Sequence, residues 1–167
     1  VKQGSGQVLD IIGTLARLGL AAVWLVSGTL KALDPDQTYV AVRAYDVLPT
    51  ELVGVVAEVL PWLEIAFGVL LLLGVGTRLV AGLSALLLLV FIAGVTQAWV
   101  RGLSIDCGCF GGGGQVAPGE TAYGVELLRD AGFLVLAGWL LVRPRTLLSI
   151  DERLESRPVA RSGEGRD

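Results

Sequence analysis

The chain has 167 residues, of which 53% are hydrophobic and 17% charged, with a formal net charge of −3 and a mean hydropathy of +0.69. Soluble domains carry about 25% charged residues, so lipid rather than a large protein core is expected to cover much of this apolar surface. The absence of His and Met excludes haem with His or Met axial ligands and His-rich metal sites built from this chain alone. The net charge says little about partners, and no nucleic acid is expected among them. Position 1 is Val, which reads as a GTG start or a trimmed chain, and eleven Arg stand against two Lys, as in a GC-rich bacterial genome.

Four apolar runs follow in chain order. Residues 11–30 contain one charge, Arg17; residues 53–73 contain Glu58, Pro61 and Glu64; residues 79–100 contain none; residues 123–142 contain Glu126, Arg129 and Asp130 in their first half. A helix needs about 20 mostly apolar residues to cross the hydrocarbon layer. Without water to satisfy backbone groups, helices are the expected form. One such run could be a buried helix of a soluble protein, but four in so short a chain argue against that. The first run could mimic a signal peptide, yet Lys31-Ala32-Leu33-Asp34 is a poor cleavage site and three runs follow. The predicted fold is an all-α membrane protein, a four-transmembrane-helix bundle over residues 1–145. A charged, disordered tail is expected over residues 146–167. Arg143, Arg145, Arg153, Arg157, Arg161 and Arg166 follow the last run, Lys2 precedes the first, and Arg78 lies in the short turn between the second and third. The bias of Lys and Arg toward the cytoplasm then puts both termini inside a bacterial cytoplasmic (inner) membrane.

Between the first two runs, Asp34-Pro35-Asp36-Gln37-Thr38 reads as a helix start, with Asp34 as N-cap and Pro35 at the first helical position. A short interfacial helix ending before Pro49 is expected. It is either a lid over the third-to-fourth loop or a solvated connector.

That loop holds the two cysteines, in Ile105-Asp106-Cys107-Gly108-Cys109-Phe110-Gly111, and faces outward in this topology. A disulfide needs Cα atoms about 4.4–6.8 Å apart, which a Cys-X-Cys pair reaches only in a bent backbone. Gly108 is the residue that best permits the bend. Such a small ring is strained, and strained disulfides are oxidising and labile. Redox exchange, a structural bridge in an oxidising compartment, and metal binding or lipidation are the open readings. A bridge between residues this close gains little loop entropy. Two thiolates without His are too few for a closed zinc site, whereas copper(I) needs fewer soft ligands. The expected site is Cys107, Gly108 and Cys109, with no metal.

Ionisable groups inside a membrane face partners or cavities. Lys31, Glu58, Glu64 and Arg129 are expected to meet in the outer half of the bundle, beneath the cysteines, with Asp130 beside them. Glu64–Arg129 is the favoured pair, and Arg17 is expected to stay nearer the cytoplasmic side. The group reads either as an ion pair fixing helix register or as a polar pocket for a quinone headgroup or a proton path.

These residues resemble the DoxX/MauE group of small membrane proteins. The resemblance is carried by Arg17-Leu18-Gly19-Leu20 and Ser27-Gly28-Thr29-Leu30-Lys31 in the first run, and by Pro61-Trp62-Leu63-Glu64 with Gly68 and Leu71-Leu72-Leu73-Gly74 in the second. Asp106-Cys107-Gly108-Cys109-Phe110-Gly111 resembles the MauE branch in particular, and Leu128-Arg129-Asp130 adds to it. The resemblance implies a four-helix protein tied to maturation of a disulfide-rich dehydrogenase subunit alongside an exported thioredoxin-like partner. It further implies a thiol–disulfide oxidoreductase role, with no covalently bound cofactor and a quinone as electron carrier. A non-enzymatic membrane subunit or small-solute transporter is the alternative.

Overall fold

The computed structural model describes residues 2–147 and 149–151. Five helices form, α1 (Lys2–Leu33), α2 (Pro35–Ala44), α3 (Thr50–Leu73), α4 (Thr77–Val100) and α5 (Tyr123–Val142), with two short strands, β1 (Ile105–Asp106) and β2 (Gly114–Gln115), between α4 and α5. The four apolar runs all become long helices, and the first extends well beyond residues 11–30 at both ends. Gly6–Leu33, Thr50–Leu73 and Thr77–Val100 are long and apolar enough to cross a membrane. The 20-residue α5 carries Glu126, Arg129 and Asp130 in its first half, which keeps it out of that class.

The helices pack as two intimate pairs, α1 with α3 and α4 with α5, with α1 also against α5. Missing side chains let α1 and α3 approach. A Cβ on Gly28 would stand 2.7 Å from the Pro61 carbonyl oxygen, and one on Gly68 would stand 2.6 Å from Leu25 Cγ. Small residues permit such contact between membrane helices. Trp24, Leu20, Phe67, Leu71, Leu88 and Leu140 build the main core. The Trp24 indole donates to Ser84 Oγ at 2.9 Å, which satisfies its N–H within that core. Leu15, Leu79, Leu86 and Val90 on the outer faces are more than half exposed, as suits surfaces covered by lipid.

Asp34 caps α2 as expected, its carboxylate accepting from the Gln37 N–H at 3.1 Å, and α2 ends before Pro49. The strands pair antiparallel, Ile105 opposite Gln115 and Asp106 opposite Gly114, and clasp the base of the cysteine loop. Disorder from residue 146 does not hold for the first part of the tail. Thr146 and Ser149 are buried, and Asp151 accepts from the Gly76 and Thr77 N–H groups at 2.9 and 3.0 Å, which satisfies the start of α4. Residues 152–167, where the rest of that expectation falls, lie outside the described residues.

Candidate functional site

The cysteine loop lies against α1 through Ser27 and Lys31, against α5 through Arg129 and against α2 through Gln37 and Ala41. Ser27 and Lys31 lie one helical turn apart on α1 and both face Glu64 on α3. The Lys31 ammonium donates to both Glu64 carboxylate oxygens at 2.9 Å and to the Cys109 carbonyl at 3.2 Å. The Ser27 hydroxyl lies 2.9 Å from Glu64 Oε2 and 2.6 Å from the Cys109 carbonyl oxygen, with one proton to give to either. A buried ion pair thus anchors the loop backbone at Cys109. Lys31 also sits 5.7 Å from the Phe91 ring centroid, a cation–π contact.

This corrects the expected pairing. Glu64 pairs with Lys31, not Arg129, because close packing of α1 on α3 turns those two side chains toward each other. Glu58 does not join the buried group: it is exposed and lines a separate cleft with Lys31, Pro61 and Trp62. Arg17 stays apart as expected, donating to the Leu71 and Leu147 carbonyls at the opposite end of the bundle.

On the α5 side, Arg129 reaches the sulfur chemistry directly. Its Nη2 lies 3.5 Å from Cys107 Sγ, its Nε lies 3.3 Å from Asp130 Oδ1, and its guanidinium stacks 4.9 Å from the Phe110 ring centroid. The Cys109 N–H donates to Cys107 Sγ at 3.2 Å, and the Tyr45 hydroxyl donates to the Cys107 carbonyl at 3.1 Å. Gly108 holds φ +66, and a Cβ there would meet Ala41 Cβ of α2 at 2.8 Å. Only glycine accepts that left-handed backbone without strain while letting α2 lie against the loop. Gln37 of α2 donates to the Gly113 carbonyl at 2.6 Å, so α2 covers the loop and ties to it.

The two thiols are unlike. Cys107 is 9% exposed and Cys109 is more open. The hydrogen bond from the Cys109 thiol holds the Cys107 thiol below its ordinary pKa. Burial opposes that shift, while Arg129 and the Cys109 N–H reinforce it. The same hydrogen bond, together with burial, pushes Cys109 up. Cys107 is therefore the more readily ionised sulfur of the pair and Cys109 the weaker acid. Burial also pushes the Tyr45 phenol up, so it remains a donor.

Replacing Arg129 by Met is expected to move the pH at which Cys107 half-reacts with iodoacetamide upward, toward the ordinary thiol value of about 8.5. Alkylation at pH 7 then slows several-fold. An unchanged pH profile would show that Arg129 does not stabilise the thiolate.

An apolar cavity of about 150 Å³ reaches both cysteines from the flank of α3 and α4, lined by Lys31, Tyr45, Leu60, Val90 and Phe91 among others. Val47 and Val90 on its lining are more than half exposed. Of the five residues expected at a quinone or proton site (Lys31, Glu58, Glu64, Arg129 and Asp130), only Lys31 lines this cavity. Oxygens of Asp106 and Glu126 and the Cys107 sulfur lie within 4.8 Å of one another. Donor atoms for a cation are present there, but Arg129 already supplies positive charge at that sulfur.

Sequence reasoning missed Glu126, Ser27, Tyr45 and Phe110. Glu126 was visible only as one charge among three in α5. Ser27, four residues before Lys31, carried a helical-face signal.

The family model of methylamine utilisation protein MauE matches residues 9–143, which include every residue of this site. The methylamine utilization protein MauE of Paracoccus denitrificans is 38% identical over 98 residues, covering 58% of this chain and 53% of that protein. The chain therefore spans about half the length of the curated relative it matches. No solved structure matches.

Proposed function

The chain belongs to the MauE family, and from that premise we propose that it is a membrane thiol–disulfide exchange protein. Its Cys107–Cys109 pair trades two electrons with an exported thioredoxin-like partner and so supports disulfide maturation. The observation that carries this reading is the inequality of the two sulfurs: a buried Cys107 sulfur that accepts from Arg129 and the Cys109 N–H, beside a more open Cys109. In the oxidised form, a partner thiolate attacks Cys109. The Cys107–Cys109 bond breaks, a Cys109–partner bond forms, and Cys107 leaves as a thiolate. A stabilised thiolate is the better leaving group. The partner's second thiolate then attacks its own sulfur in the mixed disulfide and releases Cys109. The same steps run in reverse when the partner is the oxidant.

On this reading the chain crosses a bacterial inner membrane four times, with the loop outside and both termini in the cytoplasm. The three long apolar helices and the packing of α5 against α4 support this, with the charges of α5 turned to the loop rather than to lipid. The apolar walls of the flank cavity and the two sulfurs on its lining support a quinone ring as its occupant. A quinone bound there would supply the two-electron acceptor, with Tyr45 and Phe91 on the lining orienting it.

The test uses single-cysteine variants with a reduced or oxidised thioredoxin-like partner. Cys107→Ser is expected to accumulate a mixed disulfide at Cys109, Cys109→Ser to accumulate far less, and both to stop turnover. A normal partner redox state in cells carrying either variant would sink the proposal.

A further inference from the structure

Opening a Cys107–Cys109 disulfide places a negative charge on Cys107 in surroundings that are already acidic. Asp106 and Glu126 stand within 4.8 Å of that sulfur, and Asp130 lies one turn beyond Glu126. Arg129 is the cation bonded to the sulfur, and its carboxylate partner is Asp130. Lys31 is committed to Glu64. Glu126 is only 6% exposed, and its Oε2 has no hydrogen-bond partner among the described residues. The groups acting on it are Cys107, Asp106 and Arg129, with Tyr45 facing it from beyond α2. Two full negative charges this close, out of water, repel strongly.

We propose that Glu126 takes up the second proton of the two-electron reduction, so that the Cys107 thiolate and an ionised Glu126 never stand side by side. This rests on the exchange reading above. The partner dithiol gives up two electrons and two protons. Its sulfurs join as the Cys107–Cys109 bond breaks, and the electrons end on the two sulfurs of this chain. One proton goes to Cys109, which becomes the thiol donating to Cys107. The other goes to Glu126, which becomes a neutral carboxylic acid beside the thiolate. Reoxidation of the pair releases both.

The test is the reduction potential of Cys107–Cys109 in the full chain in lipid nanodiscs, measured against glutathione buffers from pH 6 to 8. With Glu126 as acceptor, the wild-type equilibrium for reduction changes a hundredfold per pH unit. Glu126→Gln cuts this to tenfold, about 30 mV instead of 59 mV per unit at 29.6 mV per tenfold for two electrons. Glu126→Asp restores the wild-type dependence. In wild type, the infrared difference spectrum gains a protonated-carboxyl band on reduction, which keeps the proposal testable if Glu126→Gln does not fold. A hundredfold dependence retained in Glu126→Gln, or no such band in wild type, overturns the proposal while leaving the exchange reading intact. A wild-type pair that never exchanges with glutathione overturns the exchange reading itself, and the proposal with it.

Discussion

Replacing Lys31 by Met should lower the thermal midpoint of the purified protein by roughly 6–20 °C, taking about 3–5 kcal/mol for an uncompensated buried charge and about 2–4 °C per kcal/mol at this size. Glu64 is fully buried and Lys31 nearly so, with Nζ and Oε1 2.9 Å apart. Removing the ammonium leaves a carboxylate with Ser27 as its one remaining hydrogen-bond donor among the described residues, in surroundings that cannot solvate it. The Lys31→Met, Glu64→Leu double variant should recover most of the loss, because two apolar groups need no counter-charge. A double-mutant cycle in thermal unfolding checks this. Equal and additive losses would show that the pair is not coupled. The loop should suffer with the single variant, since Lys31 and Ser27 both reach the Cys109 carbonyl.

Gly28→Val should be comparably damaging through geometry rather than charge. A Cβ at Gly28 would stand 2.7 Å from the Pro61 carbonyl oxygen and 2.9 Å from the Ile65 nitrogen. Both are backbone atoms of α3, so no rotamer change relieves the clash and the helices must part. Overpacking of this kind costs about 1–3 kcal/mol and sometimes more. Parting α1 from α3 also pulls Ser27 and Lys31 off Glu64, so stability and thiol exchange should fall together. Gly132→Ala on α5 is the control: nothing lies within 4 Å of a Cβ there, and the change should be neutral or stabilising by about 0.5–1 kcal/mol. If Gly28→Val unfolds at the wild-type temperature, the close α1–α3 contact is wrong.

The long helices were legible because each is an apolar run of helical length, a property of consecutive residues alone. The start of α2 was legible for the same local reason, as Asp34 and Pro35 act on the first turn itself. The cysteine loop was legible as a polar, glycine-rich break between two such runs. Its two-residue strands were not, because two residues show no alternation. Nor was its packing against Ala41 and Gln37 of α2, which depends on residues distant in sequence.

The chain by itself thus determined the helices, the cap of α2 and the presence of a bent thiol pair, since each depends on neighbours in sequence. Only the tertiary structure decided which charge meets which. Glu64 turned to Lys31 because Gly28 and Gly68 bring α1 onto α3, leaving Arg129 for Cys107. Glu126 reached the same sulfur because the hairpin folds the loop back over the first turn of α5. The rotation of a helix about its axis and its choice of neighbour are set by side-chain fit between distant segments, and no local run of residues encodes them.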